Sequence, residues 1–221
     1  MQSPQRELAE LVGVGRSLFH RGYSFGTAGN LSVRVDDLVF ATPTGSSFET
    51  IEPEQIACCS IDGTVLTAAN PTKELSFHLA AYRARPYARA VVHLHSTYAT
   101  AVACLRDLNL ENAIPSLTAY FAMRVPALPV VPYLPPGDSG LAVEVERLAR
   151  ETPAMLMRNH GSIAIGTSLA EASALAEEIE ETARLFLLLG DRAQPLTSEQ
   201  VLELRRRFPA KSHNEAGIHS Q

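Results

Sequence analysis

The chain has 221 residues, 46% of them apolar, enough for one well-packed domain. Its formal charge of −5 and pI near 5.8, with lysines and arginines scattered, exclude a general attraction to nucleic acid or anionic membranes, so an anionic substrate needs a local positive site. There is no basic-then-apolar leader and no run of 18 apolar residues, and the protein is expected to be soluble and cytoplasmic. The three cysteines, Cys58, Cys59 and Cys104, are odd in number and form no C-x-x-C, so they read as small buried apolar residues and not as a disulfide framework or zinc site.

In chain order, Ser3-Pro4 opens a helix whose Leu8, Leu11, Val12, Leu18 and Phe19 recur at helical spacing until Gly22. A glycine-rich turn, Gly26-Thr27-Ala28-Gly29-Asn30, leads into an alternating strand over 31–35, which Asp36-Asp37 turns back through 38–41 as a hairpin. Thr42-Pro43-Thr44-Gly45 follows as a second small-residue loop. Segments 56–61 and 64–66, joined by Asp62-Gly63, read as another hairpin. Thr72 is the expected N-cap of a helix carrying Leu75, Leu79 and Tyr82 and broken at Pro86, which places Glu74 in its first turn.

The short apolar strand 90–96 comes directly after, then a helix over 98–105. Six prolines between 112 and 136 leave room only for short strands such as Val130-Val131 in a structured loop. A helix over 141–150 precedes two extended segments, 154–157 and 162–166, separated by a sharp break at Arg158-Asn159-His160-Gly161. Ser168 and Glu171 fit a capping box that opens a long helix ending at Gly190, and a last helix spans 198–208. Strands and helices interleave without repeats, which predicts one α/β domain over 1–208, helices around a largely antiparallel sheet, and a disordered tail over 209–221.

Within the strand 90–96, His93 and His95 stand one residue apart, so both project from the same face and reach a common divalent ion. Taken alone, the pair reads equally as two ordinary histidines. His160, 65 residues further on in the sharp break, completes a three-histidine set suited to zinc or a similar ion, with a coordination position open to substrate. Such an open position points to catalysis. Glu74 is the candidate acid/base, since its helix ends just before the histidine strand; without substrate it also fits the open position. The loops at Gly29-Asn30 and Thr44-Gly45, with the Thr72 hydroxyl and Lys73 ammonium, supply the parts of a phosphate cradle. His20 and His78 lie in helical runs and read as surface or packing residues, and His213 and His219 fall in the tail.

In order and spacing, the stretches 26–32, 42–45, Lys73-Glu74, His93-Leu94-His95 and Asn159-His160-Gly161 resemble the class II aldolase/adducin family over about residues 5–190. Within it, Pro71-Thr72-Lys73-Glu74, the stretch 92–97, Met123-Arg124, Val131-Pro132-Tyr133, Pro136-Gly137-Asp138 and 178–190 are most similar to members that decarboxylate 3-oxo-tetronate 4-phosphate. Fuculose-phosphate aldolases have a serine pair where this chain has Thr72-Lys73. The resemblance implies a three-layer α/β/α sandwich and zinc, with manganese or cobalt as substitutes, on His93, His95 and His160. It implies Glu74 as the proton-transfer residue and phosphate on Asn30, Thr44, Gly45, Thr72 and Lys73. It further implies a homotetramer with active sites at subunit interfaces, where Tyr120 is a candidate to reach across. The expected reaction releases carbon dioxide and dihydroxyacetone phosphate through a metal-stabilised enediolate. The alternatives are aldol cleavage of a ketose 1-phosphate and a non-catalytic adducin-like interaction module.

Overall fold

Side-chain alternation along seven short strands decides the architecture. The computed structural model describes residues 4–209. Strands β1 (Asn30–Val35), β2 (Leu38–Ala41), β3 (Ala57–Ser60), β4 (Ala90–Leu94), β5 (Val130–Val131), β6 (Ala154–Met157) and β7 (Gly161–Gly166) form one sheet in the order β3-β2-β1-β4-β7-β6-β5. Every neighbouring pair is antiparallel except β5 and β6. Leu31, Val33, Val92 and Leu94 project to one face. There they join a core with α1 (Gln5–His20), α3 (Thr97–Ala103), α4 (Ala119–Arg124) and α6 (Leu169–Leu189). Val91, Met155, Ile163 and Ile165 project to the other face, under α2 (Leu75–Ala84) and α5 (Ser139–Ala149). The result is the expected α/β/α sandwich around a largely antiparallel sheet.

The second face is not apolar throughout. Where β1 pairs with β4, Asn30 opposite His93, and Ser32 two residues on, face α2, and all three are buried. Polar groups in such a place require partners from the covering helix.

Several elements differ from expectation. Helix α2 begins at Leu75, with Glu74 as its N-cap residue, because Thr72 is held in extended backbone by its N–H bond to the Thr42 carbonyl and by the bridge between Pro43 and Pro71. The Thr72 hydroxyl does accept a helix-start N–H, that of Glu74 at 3.2 Å. In the second hairpin the Asp62-Gly63 turn is present, but the return strand shrinks to a single bridge between Val65 and Cys59. Helix α4 lies inside the proline-rich stretch. Its six residues fit between Pro115 and Pro126, so the prolines bracket it instead of interrupting it, and the Thr118 hydroxyl caps it by accepting the Phe121 N–H. A final helix, α7 (Ser198–Arg207), carries a complete capping box from Thr197 and Gln200. Apart from Pro209, the expected tail lies outside the described residues.

Candidate metal centre

His93 is the next-to-last residue of β4, and His95 follows the strand's end with its ring on the same side; their Nε2 atoms are 2.9 Å apart. Asn159, at φ +55°, puts the chain into the left-handed region that asparagine tolerates better than most side chains, and the reversal carries His160 back toward them. The three rings meet edge to face, with centroids 4.6–4.9 Å apart. Glu74 closes the group: its Oε2 is 3.3 Å from His93 Nε2 and its Oε1 is 3.2 Å from His160 Nε2. One ligand atom from each of the four residues lies within 4.8 Å of the others.

Two glycines let the backbone close around this point. A Cβ on Gly29, which holds φ +83°, would stand 2.7 Å from the His93 carbonyl, and one on Gly161 would collide with the Leu94 carbonyl. Helix α3 braces the ends of the site. The Ala103 carbonyl accepts the Asn159 N–H, and the Thr100 hydroxyl donates to the His160 carbonyl. Its own N-terminus is capped from α6, where the buried Glu180 carboxylate accepts the N–H groups of Tyr98 and Ala99 at 2.9 and 2.7 Å. Sequence reading missed Glu180, which sits on the inward face of a long amphipathic helix.

The electrostatics match a cation. Burial, then the neighbouring imidazoles of His95 and His160, hold His93 well below the ordinary histidine range. His95 is lowered to about 4, first by burial and then by His160. Burial lowers His160 as well, against an opposing pull from Glu74. At neutral pH all three rings are therefore uncharged and offer lone pairs. His93 donates from Nδ1 to the Ser162 carbonyl at 2.9 Å, which fixes its tautomer and turns the Nε2 lone pair into the cluster. Glu74 Oε1 is buried without a hydrogen-bond partner, an expensive arrangement for a carboxylate unless a cation balances it. Three imidazoles and one carboxylate in this arrangement fit a divalent ion.

The expected phosphate cradle divides in two. Loop 42–45 and the segment 70–72 lie side by side: the Thr44 N–H bonds to the Asn70 carbonyl, and the Thr72 N–H to the Thr42 carbonyl. Thr44, Gly45 and Lys73 are exposed there, Gly45 has φ +70° with open space beside it, and Lys73 makes no ion pair among the described residues. Asn30 is placed differently. Its side chain is buried, with Nδ2 donating to Glu74 Oε2 at 2.8 Å and Oδ1 2.5 Å from His78 Nε2, which leaves one amide hydrogen for a ligand. Tyr120 stands 63% exposed on α4, with the Arg124 guanidinium 5.9 Å from its ring centroid, and no hydrogen bond ties it to the cluster within one chain.

Of the surface or packing roles that the sequence reading gave His78, the packing one holds, and the hydrogen bonds it makes were not foreseen. It has no solvent exposure, is lowered to about 3 by burial, and contacts Asn30 and Ser32 by hydrogen bonds. The available signal was the spacing of Glu74, His78 and Tyr82, which repeats every four residues along one face of α2.

A mixed α/β/α sheet with a histidine and glutamate cluster at the end of a central strand defines a metal-dependent enzyme of the class II aldolase type. The chain belongs to that family: residues 9–187 match the family described as class II aldolase and adducin N-terminal domain. It is 45% identical to a 3-oxo-tetronate 4-phosphate decarboxylase of Pectobacterium atrosepticum, over 92% of this chain and 94% of that one. The crystal structure of YgbL from Escherichia coli, an aldolase/epimerase/decarboxylase candidate, superposes with a TM-score of 0.89 at 43% identity, covering 91% of this chain and 98% of YgbL. A solved L-fuculose 1-phosphate aldolase follows at a TM-score of 0.83 and 30% identity, covering 91% and 95%.

Proposed function

We propose that the chain is a carboxy-lyase that converts 3-oxo-tetronate 4-phosphate into dihydroxyacetone phosphate and carbon dioxide. The observation that carries the proposal is the unpartnered Oε1 of Glu74 facing three converging neutral imidazoles, in a chain 45% identical to a decarboxylase of that substrate. His93, His95 and His160 are the metal ligands, with zinc as the ion and manganese or cobalt as substitutes. Bound there, a divalent ion supplies a Lewis acid for the ketone oxygen.

The remaining steps belong to the chain's own residues. Thr44, Gly45, Thr72 and Lys73 bind the phosphate, with the free amide hydrogen of Asn30 at the inner end of the site, and Lys73 brings the positive charge that an acidic protein otherwise lacks there. The bond between carbons 1 and 2 breaks, carbon dioxide leaves, and its electron pair passes into the unit formed by carbon 2 and the ketone. Glu74 Oε1 takes up a proton from solvent and hands it to carbon 2, the one proton that the reaction consumes. Tyr120, exposed and without a hydrogen bond to its own cluster, serves a neighbouring subunit of a homotetramer with interfacial active sites. The catalytic unit is a single domain over 1–208, and the setting is cytoplasmic; among the described residues no helix is long and apolar enough to cross a membrane.

Aldol cleavage of a ketose 1-phosphate such as L-fuculose 1-phosphate is the second reading, favoured by the fold likeness to that aldolase. Both reactions leave the same kind of electron-rich fragment and differ in the departing group. The complete donor set weighs against a non-catalytic adducin-like module. The deciding experiment offers zinc-loaded protein each substrate and follows carbon dioxide and aldehyde separately. Carbon dioxide from the sugar acid is expected, whereas aldehyde without carbon dioxide would overturn the assignment.

A further inference from the structure

Behind the metal centre, five buried side chains join the sheet to α2. The N-cap residue Glu74 and the α2 residues His78 and Tyr82 recur at every fourth position, opposite Asn30 and Ser32 on alternate positions of β1. The contacts run without a gap: Glu74 Oε2 to Asn30 Nδ2 at 2.8 Å, Asn30 Oδ1 to His78 Nε2 at 2.5 Å, His78 Nδ1 to Ser32 Oγ at 2.8 Å, and Ser32 Oγ to the Tyr82 hydroxyl at 2.8 Å. Ser32, His78 and Tyr82 have no exposure to solvent.

Donor and acceptor chemistry gives this chain one direction. A carboxylate only accepts, so Asn30 turns its amide to Glu74 and its carbonyl to His78. That carbonyl requires a donor, so the proton of the neutral His78 ring sits on Nε2 and its Nδ1 accepts. Ser32 must then donate to Nδ1, and its oxygen receives the Tyr82 hydroxyl. Every hydrogen bond therefore points toward Glu74 and ends on Oε2. The two oxygens of one carboxylate thus have separate surroundings, since Oε1 has no hydrogen-bond partner.

We propose that Tyr82, Ser32, His78 and Asn30 form a one-way hydrogen-bond line that positions Glu74 for its proton transfer, holding Oε2 as a permanent acceptor and assigning the travelling proton to Oε1. None of Ser32, His78 and Tyr82 touches substrate; they are positioning residues acting through Asn30. A buried carboxylate without such an anchor turns freely about its last torsions, and a misplacement of about 1 Å is enough to slow a reaction by two orders of magnitude. The inference rests on Glu74 being the proton-transfer residue, and the tests separate the two.

The first test needs neither metal nor activity. In protein labelled with ¹⁵N histidine, long-range nitrogen–proton correlation reads the His78 tautomer. The line requires Nε2–H; an Nδ1–H ring would overturn it. The second compares Ser32→Ala, Ser32→Thr and Tyr82→Phe with wild type for kcat, KM, bound metal and thermal midpoint. Ser32→Ala should lower kcat roughly ten-fold to a hundred-fold with KM and metal content unchanged, and Ser32→Thr, which keeps the hydroxyl, should restore it. If Ser32→Ala fails to fold, Tyr82→Phe, which removes one oxygen and little volume, carries the same expectation with a smaller loss. Wild-type kcat in folded variants, beside an inactive Glu74→Gln, would sink the positioning line alone. A fully active Glu74→Gln would sink the reading it rests on and the line with it.

Discussion

Helices α2 and α6 cover opposite faces of the same sheet and differ at their first residues. The Ser168 hydroxyl at the start of α6 accepts the Glu171 N–H, and 21 helical residues follow with an apolar stripe on the core. Helix α2 has 10 residues and no side-chain cap; its N-cap residue, Glu74, sends its carboxylate into the imidazole cluster instead. Its inward stripe also carries His78 and Tyr82. The α6 start serves the helix, and the α2 start serves the site. Helix α2 is held by packing, with Phe77, Leu79 and Tyr82 buried together with Leu141, Val145 and Leu148 of α5.

The contrast can be broken from the site side first. His95→Ala removes one of three imidazoles and should abolish metal binding and turnover, weakening metal affinity by more than about 100-fold, as read by metal analysis after dialysis. Tight metal retention in that variant would remove His95 from the ligand set. Glu74→Gln comes next: it should keep the metal yet lose about 10²- to 10⁴-fold in kcat, the usual share of a positioned acid/base. The free α2 start should barely register this change in thermal stability, since no cap bond is lost.

Acid should then separate the two helices. In metal-free protein His78 is lowered to about 3 and His95 to about 4, so between those values and about 6.5 the unfolded chain binds protons that the native rings refuse. Stability contributed by keeping these rings neutral is complete above about pH 6.5 and is lost as pH falls toward 4 and below. The melting temperature should drop over that window, with amide exchange rising in α2 before α6; a flat profile from pH 7 to 4 would contradict the burial of the rings. The smallest effect belongs to α6 itself. Ser168→Ala should cost about 1 kcal/mol in urea unfolding and leave kcat untouched.

The same contrast explains what could be read in advance. Alternation placed His93 and His95 on one side, and the break at Asn159 marked His160, because each signal spans only a few residues. The start and stop of α6 were equally local. The half-formed box at Ser168 shows the limit: Glu171 turns its carboxylate to the N–H and hydroxyl of Thr167, which no spacing rule distinguishes from Ser168. Ser32, His78 and Tyr82 escaped, and Asn30 was read only as a phosphate-loop residue, because their contacts depend on register between β1 and α2, elements more than 40 residues apart in sequence at these points. The start of α2 was misplaced for a similar reason, since the Thr72 N–H is tied to the Thr42 carbonyl in a loop 30 residues away.

Gly29 and Gly161 carry a consequence for any attempt to redirect this scaffold toward another sugar phosphate. At both positions even a methyl group would strike main chain at the end of β4, so a randomised library would return almost only glycine there. Thr44, Gly45 and Lys73 are exposed, with open space beside Gly45. Evolvability is therefore unevenly distributed: new leaving groups and new anionic handles are to be sought at the rim, while the floor tolerates no variation.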